Sequence, residues 1–248
     1  ECREARGHTP ALEGAISLAQ DRPVQTLEPQ PGDTGPRMIL DPVDVQPALD
    51  RHCVKCHGND APKGNVALTG DFTTLFNRSY ENLINKKLIN NIDVNPRSAF
   101  IPAEPPLTFG SHRSKMVERM RSGPCQSGLT REELIRIVTW IDLNTPYYPS
   151  HATYYARNTF GRCPLNHGQL LQLGKVLGTA SGNKTFRWGN VVKYSGTGLS
   201  RLVMTGNTPC NFTRPEQSAC LTVFPDRSNP KYGEALSIIQ SGREMLEK

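Results

Sequence analysis

Two cysteines and a histidine stand close together in the stretch R-H-C-V-K-C-H-G, residues 51 to 58. Cys53 and Cys56 are three positions apart, and His57 follows the second thiol directly. This C-x-x-C-H spacing is the attachment signature of c-type heme. Two thiols on one turn can reach the two vinyl groups of the porphyrin, and the next imidazole then lies under the iron as proximal ligand. The motif predicts one covalent heme c, bound by Cys53 and Cys56 and ligated by His57.

A zinc half-site and a thioredoxin-type redox pair are the alternative interpretations of the same residues. A zinc site would require a second pair of Cys or His at comparably short spacing. The later cysteines are instead widely separated along the chain. A thioredoxin-type pair is expected where a strand leads into it, and nothing around Cys53 resembles a strand.

Composition describes a loop-rich chain with one large domain or two small ones. The 248 residues include 21 Gly and 20 Pro, and only 36% are hydrophobic. Folding should therefore depend on more than aliphatic burial, and a covalent cofactor or disulfides would supply the rest. No window approaches the roughly 18 to 20 uncharged apolar residues of a membrane span. The first residues lack the basic-then-apolar start of a signal peptide, so we expect a mature or excised chain.

The net charge of +6 is spread along the sequence and no Lys/Arg block exceeds two residues. No motif interleaves aromatic and basic residues, so the sequence does not predict nucleic-acid binding. A basic surface of this kind favours docking to an acidic protein. The partner expected from charge is an acidic redox protein, and membership of a larger complex is a further possibility.

Five cysteines lie outside the motif, and their number helps to predict the cellular compartment in which the protein works. An oxidising compartment would allow two disulfides and one orphan thiol, and c-type heme attachment belongs to the same side of the membrane. We therefore expect a periplasmic or otherwise extracytoplasmic location. Cys210 and Cys220 are ten residues apart and are the first candidate pair, ahead of Cys163 with Cys220.

Hydrophobic periodicity and breakers predict a mainly α protein with three parts. Residues 1–38 form an arm that ends in a Pro-rich linker, residues 39–150 form the heme domain, and residues 151–248 form a loop-rich extension with a terminal helix. The most specific helix signal is the capping box of Thr130 to Glu133. Other predicted helices are Val45–His52 capped by Asp44, Ser79–Lys86, His112–Arg121 capped by Ser111, Asn166–Gly178 and Tyr232–Lys248, with strand-like alternation over Asn183–Thr205.

The heme region resembles a known family of domains. The segments "DVQPALDRHCVKCHG", "KGNVALTGD", "FNRSYENL", "PAEPPLTFGSHRSK" and "LTREELIRIVTWIDLNTPYY" resemble the cytochrome c domain of large bacterial proteins related to the hydrazine synthase alpha subunit. The resemblance covers about residues 39 to 150. The later segments "FGRCPL", "NFTRPEQSACL" and "NPKYGEALSIIQSGREMLEK" resemble the part that follows this domain in those proteins. It implies a cytochrome c-like fold with a C-terminal extension.

The sixth iron ligand is left open by the motif. The resemblance points to His112, in "FGSHRSK", as a second axial ligand. A second imidazole would close the iron and suit it to electron transfer. Alternatives are Met116 or Met120, one of the tyrosines at positions 147 and 148, or an open position.

These features predict a mono-heme c-type cytochrome that transfers electrons; they favour an electron-transfer protein or subunit over a catalyst on its own but leave enzyme activity open, and no catalytic residue is assigned. Two other functions are compatible with the motif. One is a heme-bearing subunit of a larger redox enzyme, hydrazine synthase-like or peroxidase-like, whose iron keeps an open position. The other is a structural or assembly subunit of a respiratory complex, in which the extension supplies the interface.

Overall fold

The computed structural model describes residues 28–91, 105–122, 128–149, 163–181 and 210–246, together with residues 23, 24 and 26. The chain divides into two units, Glu1–Arg37 and Met38–Lys248. The described end of the first unit is a turn in which Arg37 forms a 3.0 Å ion pair with Asp33. Several sequence predictions fall outside these ranges, including Cys2, Cys125, most of the proline-rich stretch before Phe109 and the strand-like segment Asn183–Thr205.

The second unit is mainly helical, and its described residues form no β-strand longer than an isolated bridge. We number in chain order the six α-helices that its described residues form. They are α1 (Gln46–His52), α2 (Arg78–Asn85), α3 (Lys115–Arg121), α4 (Arg131–Asp142), α5 (His167–Ser181) and α6 (Pro230–Leu246). Within the described ranges, no helix is long and apolar enough to cross a bilayer.

The predicted capping box of α4 is confirmed. The Thr130 hydroxyl accepts from the Glu133 amide at 3.2 Å, and the Glu133 carboxylate accepts from the Thr130 amide at 2.8 Å. Two of the helix's unpaired amides are thereby satisfied. Consecutive positive φ angles at Asn144 and Thr145 end the following turn ahead of Pro146.

Three predicted helix starts differ in detail. Asp44 does not cap α1, because a π-helical turn, Asp41–Val45, precedes that helix. Asn77 caps α2 by accepting from the Tyr80 amide at 2.8 Å. Ser111 is not a helix cap, since the 3-10 turn Gly110–Arg113 is separated from α3 by Ser114, and the Ser111 side chain bonds to Asp142 instead.

A first hydrophobic core lies within residues 39–141. Trp140 is fully buried at its centre, and its indole donates a 2.9 Å hydrogen bond to the Pro146 carbonyl. Removing the apolar side chains of such a core from water is the main source of folding free energy. Its buried members are Ile39, Val45, Ala48, Leu49, Leu68, Leu83, Ile89, Met116, Val117, Met120, Ile137, Trp140 and Ile141.

A second core forms between α5 and α6. Gln169, in the first turn of α5, donates a 2.9 Å hydrogen bond to Ser241 of α6. Phe212 lies fully buried against α6, where an added Cβ on Gly242 would come within 2.6 Å of its ring. The absence of a side chain at Gly242 therefore leaves the space that the Phe212 ring occupies. Members of this core include Leu75, Cys163, Leu165, Leu170, Leu173, Leu177, Cys210, Phe212, Cys220, Leu221, Phe224, Ala235 and Ile239.

The extension is attached to the part of the chain that holds the first core through the segment between Asp71 and Phe76. The Phe212 amide donates to the Phe72 carbonyl at 2.8 Å, and the Phe72 amide donates to the Thr213 hydroxyl at 2.9 Å. Leu75 and Phe76 add apolar contacts to the second core. The two cores thus share a boundary built from this short segment.

Candidate functional site

The C-x-x-C-H motif lies at the carboxyl end of α1. The Cys53 amide donates to the Leu49 carbonyl at 2.8 Å and continues the helical pattern for one more residue. The chain then turns, because the Cys56 and His57 amides both donate to the Cys53 carbonyl, at 3.1 and 2.9 Å. This turn gathers the two thiols and the imidazole at one end of the helix.

The imidazole of His57 is oriented by its own backbone loop. Its Nδ1 lies 2.9 Å from the Val66 carbonyl oxygen. A carbonyl oxygen can only accept, so Nδ1 carries the proton and Nε2 keeps a lone pair. A hydrogen bond of this kind fixes the tautomer and the ring orientation of a metal-binding histidine. His57 is therefore prepared to bind a metal through Nε2.

The loop that supplies the Val66 carbonyl is held to the motif at two further points. The Lys63 amide donates to the Cys56 carbonyl at 2.9 Å, and the Leu68 amide donates to the His57 carbonyl at 2.7 Å. Both bonds are between backbone groups, so they depend on the path of the chain and not on side-chain identity. The loop and the motif form one locally closed structure.

The two thiols have different environments. Cys53 is half-buried and packs against the first core, whereas Cys56 is exposed. A group attached to both thiols would therefore have one side against apolar core and another edge near solvent. The donor set of two thiols and one oriented imidazole fits covalent heme c, for which these are the attaching and ligating groups.

His52, next to the first thiol, binds a carboxylate. Its Nε2 lies 3.1 Å from Oε2 of Glu133, and the Arg51 guanidinium lies 2.7 Å from Oε1. Burial opposes ionisation of Glu133, but hydrogen bonds from Thr130, Arg51 and His52 outweigh it and lower its pKa to about 2. The carboxylate joins α1 to the start of α4.

The candidates for the sixth iron ligand lie in three settings. His112 is exposed on the 3-10 turn Gly110–Arg113, and this turn is held by the Ser111 amide donating to Asp142 at 2.8 Å. Met116 and Met120 are buried members of the first core, which Cys53 also contacts. Tyr147 contacts the Phe76 ring edge to face and Tyr148 contacts it at a tilt, and the Tyr148 hydroxyl donates to the Leu75 carbonyl.

A buried carboxylate close to the motif was not predicted from the sequence. Asp71 is 4% exposed and accepts from the side chains of Asn59 at 2.7 Å and Asn211 at 2.9 Å. Arg214 lies 3.4 Å from its other oxygen. The stretch "LTGD" contains this residue but carries no pattern that distinguishes it from a surface acid. Only the fold reveals that Asp71 connects the motif loop to the extension.

The three candidate disulfide cysteines lie together in the second core. Cys163, Cys210 and Cys220 are each 3% exposed or less. Cys210 and Cys220 are within hydrogen-bonding reach and carry free thiols in this structure. Burial, then the neighbouring Cys220, raises the pKa of Cys210 well above its usual value, and burial raises that of Cys163 to about 12. The tertiary structure thus brings together residues that are far apart in sequence.

Comparison with known proteins gives no family for this chain. Protein-family models, curated proteins and solved structures all yield no match. The site must therefore be interpreted from its own geometry.

Proposed function

We propose that this protein is a mono-heme c-type cytochrome that transfers electrons outside the cytoplasm. Cys53 and Cys56 would hold the porphyrin by thioether bonds, His57 would ligate the iron, and His112 would be the second axial ligand. The bound heme would supply one-electron redox chemistry. A cytochrome c-like fold of the region around residues 39–150, with the extension attached to it, belongs to the same proposal.

The observation that carries the proposal is the 2.9 Å contact between His57 Nδ1 and the Val66 carbonyl. The C-x-x-C-H spacing alone could arise in a chain that never binds a metal. An imidazole whose Nδ1 proton is already engaged has only Nε2 to offer, and this is the arrangement expected of a proximal ligand. The neighbouring thiols are left at the surface or partly buried, where attachment is possible.

The chain's own residues would orient the ligand and limit solvent access. The Val66 carbonyl holds the ring of His57, and Glu133 holds α1 through Arg51 and His52. The first core covers the Cys53 side, which would lower the local dielectric and so tune the redox potential. The exposed side at Cys56 would let a partner protein approach an edge of the cofactor.

Charge gives a weaker indication of the partner. The net charge of +6 favours an acidic redox protein. Close to the motif, exposed Lys55 and Lys63 are balanced by exposed Asp50 and Asp60. Any electrostatic attraction would therefore come from the whole surface and not from the rim of the motif.

A second candidate function is a heme-bearing subunit of a larger redox enzyme. The exposure of His112, on a turn of its own, is the observation that favours it. An iron without a second imidazole would keep a position for a substrate or a small molecule. The two candidates differ in carbon monoxide binding by the ferrous protein, which requires a vacant position.

The decisive experiment is intact mass under denaturing, reducing conditions, after expression in a host that performs c-type heme attachment. We expect the polypeptide mass plus one heme. Cys53→Ala combined with Cys56→Ala should lose this mass and the red chromophore, because no thioether can form. Lys55→Ala, between the two thiols, is the matched control and should keep both. A bare polypeptide mass for the unaltered chain would refute the proposal.

A further inference from the structure

A polar cleft of about 410 Å³ lies beside the motif loop. One wall is α2, the second is the loop through Asn65, and the third is the extension around Asn211 and Gln217. None of the residues of the attachment motif lines it. The cleft is therefore separate from the candidate heme site, and an inference about it does not depend on the proposed function.

Helix α2 directs a single polar face toward this cleft. Arg78, Glu81, Asn82, Asn85 and Lys86 all line it, at spacings of three, four, seven and eight residues. Residues at these spacings lie on the same side of an α-helix. Across a partly open cleft, this face lies opposite residues of the extension.

Two cations, of which Lys86 is exposed to solvent, and one shielded oxygen in the cleft have no partner among the described residues. Neither Arg78 nor Lys86 forms an ion pair within the described residues. The side-chain oxygen of Asn85 is shielded from solvent and accepts no hydrogen bond from the described residues. Shielded polar atoms are normally hydrogen-bonded, and an exception calls for an explanation such as a bound ligand or water.

The unsatisfied groups specify a ligand chemistry. Two cations call for a carboxylate, with which guanidinium and ammonium groups form charge-assisted hydrogen bonds. The shielded Asn85 oxygen is an acceptor and calls for a hydroxyl or ammonium donor. The Glu81 carboxylate, which also lines the cleft, is 5% exposed and accepts from the Thr73 hydroxyl at 2.6 Å. The lining has no aromatic side chain, so a purely apolar ligand has little to contact.

We propose that this cleft binds a small carboxylate that also carries a hydroxyl or amino group. Arg78 and Lys86 receive the carboxylate, and Asn85 accepts from the hydroxyl or ammonium. Because Asn211 and Gln217 belong to the extension, the bound molecule contacts both the heme region and the extension. Binding should therefore stabilise the folded chain, and the free energy of unfolding should rise with the logarithm of the ligand concentration above Kd.

Isothermal titration of the unaltered full chain, with or without attached heme, with L-malate, L-aspartate and succinate tests the ligand chemistry. Succinate has the same carbon chain but no hydroxyl or amino group. We expect malate, aspartate or both to bind, and succinate to bind roughly tenfold more weakly, because it leaves a shielded acceptor unpaired. Malate and aspartate distinguish a hydroxyl from an ammonium donor. Equal binding of all three, or no binding below about 10 mM, would overturn the proposal.

Substitutions of cleft residues test whether the ligand binds in this cleft. Arg78→Gln and Lys86→Gln should each weaken malate or aspartate binding roughly tenfold by removing a charge-assisted hydrogen bond. Lys87→Gln is the matched control, because Lys87 is exposed and does not line the cleft. Asn85→Ala should abolish the preference over succinate. Binding that survives both cation substitutions, or that falls equally in Lys87→Gln, would place the ligand elsewhere and contradict the assignment.

Discussion

The side-chain amide of Asn211 donates a 2.9 Å hydrogen bond to Asp71 Oδ2, across 140 residues of chain. The same oxygen accepts from Asn59 at 2.7 Å, and Asn59 lies two residues after His57. One buried carboxylate therefore holds both the motif loop and the extension. This relationship is the structural reason for expecting the extension to affect the stability of the candidate heme site.

Asp71→Ala should lower the free energy of unfolding by roughly 2 to 4 kcal/mol, because it leaves two amide donors unpaired in a buried setting. Denaturant titration monitored by circular dichroism measures the change. Asp60→Ala, an exposed acid in the same loop, is the control and should have little effect. Equal stabilities of Asp71→Ala and the unaltered protein would show that the carboxylate does not support the fold.

His112→Ala should change the optical spectrum of the heme-loaded protein from low-spin to high-spin and admit carbon monoxide. The physical reason is the loss of the second axial imidazole. His52→Gln is the control, since His52 contacts Glu133 and should leave the spectrum unchanged. If the unaltered ferrous protein binds carbon monoxide readily, or the His112→Ala spectrum does not change, the open-iron alternative takes precedence.

Cys210 and Cys220 should form a disulfide when the protein matures in an oxidising compartment. Their thiols already lie close together, and closing a loop of this size is worth roughly 2 to 3 kcal/mol by loop entropy. Peptide mapping without reduction should recover the two cysteines as one linked pair, with Cys163 to Cys220 as the second possibility. Recovery of both cysteines alkylated after unfolding would contradict the prediction.

Asp41→Asn should change how stability depends on pH. Asp41 is fully buried, and burial raises its pKa to about 7 despite the hydrogen bond from Asn77 that lowers it. The folded state thus holds a proton that the unfolded state releases near pH 4. The stability contributed by this proton is fully present below pH 4 and is lost as pH rises to 7, a change on the order of 4 kcal/mol.

The asparagine cannot ionise, and its side-chain oxygen can still accept from Asn77. Urea titrations from pH 5 to pH 8 should therefore show Asp41→Asn gaining stability relative to the unaltered chain as pH rises. A difference between the two proteins that is constant over this range would mean that Asp41 does not titrate there.

Gly242→Ala should destabilise the second core by about 1 to 3 kcal/mol, because the new methyl group would lie 2.6 Å from the Phe212 ring. Gly233→Ala is the matched control on the same helix, since an added Cβ there meets no atom within 4 Å. That control should be neutral or slightly stabilising, as alanine favours helix over glycine. The melting temperatures of both variants, each compared with that of the unaltered protein, measure the two effects.

Local rules were enough for some parts of the fold. The capping box at Thr130 and Glu133 predicted the start of α4, because the partners are three residues apart and the pattern is complete in the sequence. Hydrophobic periodicity predicted the mainly helical character, because it too is a pattern among residues that are close in the sequence. The cofactor site that the C-x-x-C-H motif indicates stays a prediction, and it rests on five adjacent positions because the spacing of the thiols and the imidazole is itself the chemical requirement.

Only the tertiary structure decided which distant groups meet. The Val66 carbonyl that orients His57 is a backbone atom, and every residue has one, so no side-chain pattern could identify it. Asp71 and Asn211 come together because their chain neighbours meet at the boundary of the two cores, where the Phe212 amide donates to the Phe72 carbonyl. Short-range sequence patterns encode helices and motifs, whereas long-range polar contacts depend on how the cores pack, and packing is determined by the whole chain at once.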